Sequence, residues 1–288
     1  MQLQDIQTIG VVGAGQMGAG ITLVSAQTGC EVLLQDISAH CLDKALERIQ
    51  KGYDKQAQEG IISVSEAKAA LSRIRTTQSL DEMVESQLIL EAVPERLELK
   101  AQIFQELGNI CKPEVVFASN TSSISITTLG ARSGRDALVA GMHFMHPVPV
   151  MKLVELIRGL KTSDETLRLL FRLAERMGKI PVESKDSPGF IVNRILMPMI
   201  NEAIFTLEEG VATAEAIDQA MMHGTNHPMG PLALADRIGL DTVLFIGEIL
   251  YQDFGIDKYR PCPLLRTYVE RGWFGRKSGK GFYAYPSQ

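Results

Sequence analysis

A glycine-rich turn between a short apolar run and a longer helical pattern constrains this chain more than any other feature. The apolar run is TIGVV at 8–12, and the turn after it comprises Gly13, Ala14, Gly15, Gln16, Met17 and Gly18. In such a turn Gly13 permits the tight bend, Gly15 lets backbone approach a pyrophosphate, and Gly18 lets the helix pack closely on the sheet. The pattern predicts a strand–turn–helix unit whose helix N-terminus binds phosphate. The alternative is a glycine turn that only packs.

An acidic residue stands where this kind of unit binds a ribose. Asp36 directly follows the second apolar run, EVLLQ at 31–35. A carboxylate at the end of the second strand accepts hydrogen bonds from an adenosine ribose and repels a 2′-phosphate. The sequence therefore predicts NAD, rather than NADP, as the cofactor.

The first part of the chain alternates short β-branched runs with longer helical patterns, as parallel α/β sheets do. Strands are predicted at 8–12, 31–35, 87–92, 115–119, 138–142, 152–157 and 180–182, and helices at about 16–28, 38–59, 63–73, 95–110 and 164–178. The pair 38–59 and 63–73, joined around Gly60, is expected to be an inserted helical hairpin. The predicted fold class is α/β, with an N-terminal Rossmann-type, doubly wound, mostly parallel sheet.

The pattern changes at KDSPG, residues 185–189, where proline and glycine break regular structure. Beyond it, apolar residues recur at helical spacing, and the next short strand-like stretch is the tail at 281–285. We therefore predict two domains, a Rossmann domain at 1–185 and an all-helical C-terminal domain at 186–288.

Composition excludes several classes of protein. The net charge is −5, whereas general nucleic-acid binders are normally basic, so no nucleic-acid partner is expected. No apolar run approaches the ~20 residues of a membrane span, and the N-terminus lacks the layout of a signal or transit peptide. The four cysteines are far apart and form no CxxC pair, which indicates neither disulfides nor a zinc site. A cytoplasmic protein without a membrane partner is expected.

A histidine and a glutamate are predicted to meet near the carboxyl edge of the sheet. His143 lies just past the predicted strand LVAGM, and Glu155 follows twelve residues later in KLVELI. If the chain reverses about Pro149, the two side chains face each other, as either a structural ion pair or a catalytic dyad. A carboxylate on one imidazole nitrogen would let the other take a proton from a substrate hydroxyl. His143 and His146 could also suggest a metal, but no third ligand is evident, so no metal site is predicted.

Two further polar positions are candidates. Ser122 lies in NTSS at 120–123, after a predicted strand, where hydroxyls either cap a helix or contact a ligand. Asn193 lies in the apolar stretch FIVNRIL at the start of the second domain. Its amide needs a partner, so it faces either solvent or a site between the domains.

At these residues the chain resembles the short-chain L-3-hydroxyacyl-CoA dehydrogenases, particularly the bacterial 3-hydroxybutyryl-CoA dehydrogenases. The resemblance covers essentially the whole chain. It depends on GAGQMGAGI at 13–21, EAVPERLELK at 91–100, SNTSSISI at 119–126, HFMHPVPVMKLVEL at 143–156, DSPGFIVNRIL at 186–196, HPMGPLALADRIGLD at 227–241 and GRKSGKGFY at 275–283.

The resemblance implies an NAD-binding domain, a helical domain that forms a homodimer, and reversible oxidation of (3S)-3-hydroxyacyl-CoA to 3-oxoacyl-CoA in fatty acid or related CoA-thioester metabolism. The implied catalytic residues are His143, Glu155, Ser122 and Asn193, the last two also contacting substrate. The implied cofactor contacts are the glycine turn (13–18), Asp36, Glu95, Lys100, Ser122, His146 and Lys277. The family usually has Asn where this chain has His146.

Acyl-CoA is polyanionic, so a partner of this kind needs local cations on an acidic protein. Lys51 and Lys55 lie on one face of the predicted helix 38–59 and could bind the CoA phosphates, or could form a solvated face. Two other functions remain open on the same scaffold, a dehydrogenase of a small hydroxy acid such as L-gulonate and a non-catalytic NAD-binding or crystallin-like protein. The intact His143, Glu155, Ser122 and Asn193 set favours catalysis. A short-chain dehydrogenase/reductase is disfavoured because YxxxK is missing at the expected place.

Overall fold

The computed structural model describes residues 2–286. The chain divides into two compact units, Met1–Ser187 and Pro188–Gln288. Each unit has a hydrophobic core of its own.

The first unit is built on one eight-stranded sheet with the strand order β3-β2-β1-β4-β5-β6-β7-β8. The strands are β1 (Thr8–Val12), β2 (Glu31–Gln35), β3 (Ile74–Thr77), β4 (Leu88–Glu91), β5 (Val116–Ser119), β6 (Val139–Phe144), β7 (Leu153–Arg158) and β8 (Ile180–Lys185). All neighbouring strands are parallel except β6 and β7, which are antiparallel. The predicted Rossmann-type, mostly parallel α/β fold is confirmed.

The described part of the first unit contains six α-helices. They are α1 (Gln16–Gln27), α2 (Ala39–Gln58), α3 (Val64–Ser72), α4 (Leu97–Ile110), α5 (Ile126–Ser133) and α6 (Asp164–Arg176). Strands β4, β5 and β6 are buried along their whole length, as expected for strands covered on both faces. Near-continuous apolar runs identify such strands in the sequence, and for this reason the central part of the sheet was predicted well.

The inserted hairpin predicted between the second and third strands is present as α2 and α3. Ser38 and Ser63 cap the two helices, each accepting a hydrogen bond from a backbone N–H of the first turn. Gly60 lies between them with a φ of +70°, a conformation that L side chains rarely adopt. The buried Tyr53 hydroxyl donates to the Leu23 carbonyl (2.8 Å) and so ties α2 to α1.

Three local predictions were wrong. Strand β3 was missed because its IRTT segment at the sheet edge is mostly polar and half exposed. Helix α5 was missed because its first residues are β-branched; its start is stabilised by Asp186, whose carboxylate accepts the N–H groups of Ile126 (3.1 Å) and Thr127 (2.8 Å). His143 lies inside β6 rather than just past it, because pairing with β7 extends that strand to Phe144.

The second unit contains five helices among its described residues. They are α7 (Val192–Glu208), α8 (Ala214–Gly224), α9 (Pro231–Ile238), α10 (Leu240–Phe254) and α11 (Pro263–Glu270). The tail predicted to be strand-like forms only isolated bridges, Gly275 to Lys280 and Lys280 to Ala284. Within the described part of the chain, no helix has both the length and the apolar character needed to span a bilayer.

Candidate active site

The glycine turn has the geometry that its sequence predicts. Gly13 has a φ of +101°, and a Cβ there would lie 2.7 Å from the Ala92 carbonyl oxygen. A Cβ on Gly18 would lie 1.8 Å from the Gly13 carbonyl oxygen, so this position also requires glycine. A Cβ on Gly15, in contrast, would meet no protein atom within 4 Å. The space above Gly15 is therefore left open, as a dinucleotide pyrophosphate requires.

The N-terminus of α1 faces the same turn. Its N-cap is Gly15, which provides no side-chain cap for the first N–H groups. Unsatisfied N–H groups and the positive end of the helix dipole favour an anion at this position. The residues present thus fit the diphosphate of NAD.

Asp36 is held directly beside the turn. Its Oδ2 accepts a hydrogen bond from the Ala14 N–H (2.8 Å) and its Oδ1 accepts one from the Ser38 N–H (2.9 Å). A carboxylate has about four lone-pair sites, so both oxygens retain capacity to accept ribose hydroxyls. The two backbone bonds fix the carboxylate where the second strand ends, which is the position that a ribose contact needs.

Glu95 connects two loops at the carboxyl edge of the sheet. Its Oε1 accepts hydrogen bonds from the hydroxyls of Thr121 (2.6 Å), Ser122 (3.2 Å) and Ser123 (2.9 Å) and from the N–H groups of Ser122 (2.9 Å) and Ser123 (3.1 Å). Burial alone would raise the pKa of Glu95, but the Lys100 ammonium and these donors outweigh it and hold the pKa below its ordinary value. Glu95 is therefore anionic at neutral pH, and it orients Ser122.

Lys100 lies beneath Glu95 rather than at the surface. Its side chain is only 2% exposed, and its Nζ lies 2.6 Å from Glu91 Oε1 and 3.4 Å from Glu95 Oε2. The Ser119 hydroxyl donates to the other Glu91 oxygen (2.6 Å). Glu91 was not predicted as a site residue, because in the sequence it is the last residue of an apolar strand. We name Glu91, Glu95, Lys100, Ser119 and residues 121–123 the loop cluster.

His143 and Glu155 form a direct contact, as the predicted chain reversal requires. They are directly opposite residues in the antiparallel β6–β7 ladder. His143 Nδ1 lies 2.8 Å from Glu155 Oε2, and the two side chains are 10% and 1% exposed. A carboxylate at Nδ1 fixes the tautomer of the ring and assigns proton exchange with a substrate to Nε2.

The connection between β6 and β7 borders a cavity. The cavity has a volume of about 150 Å³ and lies between α1, α2 and this connection. Gln16, Arg48 and His146 are among its polar lining residues. His146 is exposed, and the structure brings it to the same cavity as the first residue of α1. Among residues 2–286, no group of three or more His, Cys, Asp or Glu side chains could hold a metal ion.

Four predicted site residues, Lys51, Lys55, Asn193 and Lys277, are not part of the loop cluster or of the His143–Glu155 contact. Lys51 and Lys55 are both exposed on α2, and Lys55 Nζ lies 3.7 Å from Glu59 Oε1. In the second unit, Asn193 is buried in the first turn of α7. Lys277 Nζ donates to Asp241 Oδ2 (2.6 Å) within that same unit.

Comparisons with known proteins agree with these features. Residues 8–187 match the family described as 3-hydroxyacyl-CoA dehydrogenase, NAD binding domain, and residues 189–285 match its C-terminal domain. The chain is 51% identical over 281 residues to a probable 3-hydroxybutyryl-CoA dehydrogenase of Bacillus subtilis (strain 168), covering 98% of each chain. It is 50% identical over 280 residues to the 3-hydroxybutyryl-CoA dehydrogenase of Bradyrhizobium diazoefficiens, covering 97% of this chain and 96% of the other.

A solved structure shares the whole fold. The crystal structure of (S)-3-hydroxybutyryl-CoA dehydrogenase from Ralstonia eutropha has a TM-score of 0.95 and 46% identity, and the match covers 98% of this chain and 100% of that one. The predicted NAD cofactor and the predicted oxidoreductase activity agree with these matches. The chain belongs to the 3-hydroxyacyl-CoA dehydrogenase family of NAD-dependent oxidoreductases.

Proposed function

We propose that this enzyme interconverts (3S)-3-hydroxybutyryl-CoA and acetoacetyl-CoA, with short acyl chains preferred. The observation that carries the proposal is the 2.8 Å contact between His143 and Glu155, in a unit whose glycine turn and Asp36 fit NAD. The names of the similar proteins support the acyl-CoA class and the short chain. Metabolism of fatty acids or of related CoA thioesters is the proposed setting.

In the oxidation direction, His143 removes the proton of the 3-hydroxyl group through Nε2. Glu155 keeps the ring in the required tautomer and balances the charge of the imidazolium. NAD, when bound at the glycine turn, supplies the hydride acceptor. In the reduction direction the same imidazolium returns its proton to the developing alkoxide.

Ser122 and Asn193 are proposed to hold the substrate oxygen. Ser122 is suited to this because Glu95 accepts from its N–H (2.9 Å) and so fixes its backbone, while the longer bond from its hydroxyl (3.2 Å) can be exchanged for one to the substrate oxygen. Asn193 is assigned from the family resemblance. Glu95, Lys100, His146 and Lys277 are proposed to serve the cofactor side, and Lys100 would act there through Glu95, since its ammonium is buried against two carboxylates.

The second unit is proposed to form a homodimer and to contribute to the substrate site. Stretches 191–207 and 230–250 carry exposed apolar side chains, including Ile195 (66% exposed) and Phe245 (48% exposed). Such surface is normally buried against another copy. Light scattering at micromolar concentration is expected to give about twice the 31.6 kDa chain mass, and a clean monomer would contradict this. A cytoplasmic location is proposed because all four cysteines are free thiols.

An NADH-absorbance assay tests the proposed substrate. Acetoacetyl-CoA, longer 3-oxoacyl-CoAs and free hydroxy acids such as L-gulonate are compared under the same conditions. The highest kcat/KM is expected for acetoacetyl-CoA. A higher value for a free hydroxy acid would replace the proposal with that substrate class, and no turnover of any of them would leave a non-catalytic NAD-binding protein.

A further inference from the structure

Lys179 is a buried lysine to which the proposed mechanism assigns no role. It is 7% exposed, and it lies in the connection between α6 and β8. Its ammonium donates to the carbonyl oxygens of Val148 and, at 2.9 Å, Met151. Among residues 2–286 no aspartate or glutamate forms a salt bridge with it, so two backbone carbonyls take the place of a counter-ion.

Both carbonyls belong to the single turn that joins the strand of His143 to the strand of Glu155. Within this turn the Pro147 carbonyl accepts the N–H groups of Val150 and Met151, both at 3.0 Å. Lys179 therefore bridges the middle and the end of the turn. The next residue, Ile180, donates its N–H to the Lys152 carbonyl (2.8 Å), so the backbone of β8 is joined to the same place.

The side chain of Val148 in the same turn packs on α1, the helix that follows the glycine turn. A Cβ on Gly20 of α1 would lie 2.8 Å from the Val148 Cβ, which shows how closely the turn approaches that helix. Val148 is buried, and it also borders the cavity that includes Gln16 and His146. The turn is thus held both by Lys179, through two backbone carbonyls, and by α1, through the side chain of Val148.

We propose that Lys179 is a positioning residue, whose ammonium fixes the turn so that Glu155 keeps its register with His143 and the cavity keeps its shape. The proposal depends on the proposed function in one respect, the use of His143 and Glu155 as the acid–base pair. A small displacement of reacting groups of this kind costs up to about 10²-fold in rate.

The hydrogen bonds from Lys179 to the turn are expected to weaken at alkaline pH. Burial, and secondarily the nearby Lys152 ammonium at the end of the same turn, lower the pKa of Lys179 to about 8. Arg176, at the end of α6, directs its guanidinium to the Thr28 carbonyl. Above that pH the neutral amine loses its charge-assisted bonds to the two carbonyls. Oxidation, which needs a neutral His143, is therefore expected to decline above about pH 8 while its base is still present.

Exchanging the exposed Lys152 tests the proposal without touching the site. Lys152→Gln removes the repelling charge, so the pKa of Lys179, read from isotope-labelled lysine NMR of the full chain, is expected to rise. The alkaline decline of kcat for 3-hydroxybutyryl-CoA oxidation is expected to move up by the same amount, with the rate at pH 7 unchanged. A pKa that moves while the decline stays in place would overturn the proposal.

Two substitutions at Lys179 complete the test. Lys179→Met is expected to lower kcat about 10-fold or more at every pH, with the Kd for NADH nearly unchanged. Lys179→Arg keeps a charge that does not titrate, so it is expected to restore part of kcat and to abolish the decline near pH 8. Wild-type kcat and pH profile in a folded Lys179→Met would leave Lys179 a merely structural residue. Absence of turnover in the wild type would instead refute the proposed function.

Discussion

Two groups of side chains at the carboxyl edge of the sheet contain carboxylates that are positioned by different means. The strand ladder itself places Glu155 opposite His143, so the backbone carries the geometry of the dyad. In the loop cluster, side-chain bonds among Glu91, Glu95 and Lys100 hold the geometry. A substitution at His143 or Glu155 should therefore lower the catalytic rate while the backbone of the two strands stays in place. A substitution in the loop cluster should instead destabilise the structure around it.

His143→Ala tests whether the His143–Glu155 pair carries out the proton transfer. General acid–base catalysis is typically worth ~10²–10⁴-fold, so kcat is expected to fall by that factor. The Kd for NADH should remain close to wild type because the β6–β7 ladder persists. The unfolding free energy should fall by about 1–3 kcal/mol, since the buried Glu155 carboxylate loses its contact with His143. A His143→Ala enzyme with a near wild-type rate would end the mechanism.

Glu155→Gln then asks whether the two residues work as one unit. An amide cannot balance an imidazolium, so kcat is expected to fall sharply in this variant as well. The double variant should lose much less than the product of the two single losses, since residues that act together are not additive. Fully multiplicative losses would show that Glu155 acts independently of His143.

Lys100→Met tests whether the loop cluster stabilises the structure. It leaves the fully buried Glu91 carboxylate without its cation, and breaking a buried pair in this way costs about 3–5 kcal/mol of unfolding free energy. Denaturant titration at pH 7 measures the loss, with the exposed Lys68→Met as the control expected to stay within about 0.5 kcal/mol of wild type. The double variant Glu91→Gln/Lys100→Met should recover part of the loss. Equal destabilisation by Lys100→Met and Lys68→Met would contradict the role given to the cluster.

Contacts within a short stretch of chain could be predicted from the sequence, whereas contacts between distant segments could not. The contact between His143 and Glu155 was predictable because a single short reversal separates the two residues, and proline-rich sequence marks that reversal. The central strands were predictable from their apolar runs. The contacts of Glu95 with residues 121–123 join two loops 26–28 positions apart, and nothing in local periodicity reports such a distance.

Buried charges were the hardest features to predict. Lys100 and Lys179 resemble the solvated lysines found near most helix ends, and only the packing of distant segments buries them. Glu91 is the last residue of an apolar strand, and Asp186, which is only partly buried, lies in the break between the two predicted domains. In each case the partner of the charge comes from another element, so the residue type alone could not reveal its function.

Asp36→Asn tests a carboxylate that is positioned in a third way, by hydrogen bonds from two backbone N–H groups. A hydrogen bond to a charged group is worth about 1.5–3 kcal/mol, so kcat/KM for NADH is expected to fall about 10-fold or more. The value for NADPH should fall less or rise, since the charge that repels a 2′-phosphate is gone. The exposed Asp54→Asn, on α2, serves as the control. A wild-type preference for NADPH, or equal use of the two cofactors, would show that Asp36 does not select NAD.

The smallest effect is expected at Lys51 and Lys55, because both side chains are exposed and solvent screens their charges. Lys51→Glu and Lys55→Glu are expected to raise KM for acetoacetyl-CoA by about 1.4- to fivefold each, on the basis of ~0.2–1 kcal/mol for an exposed ion pair. KM for NADH should stay unchanged. The increase should shrink as salt rises, since a Debye length of about 10 Å at 0.1 M screens exposed charges. Lys112→Glu, at an exposed position outside the α2–α3 hairpin, makes the same change in net charge. If this control raises KM for acetoacetyl-CoA as much as Lys51→Glu does, the effect comes from the overall charge and the α2 lysines are a solvated face.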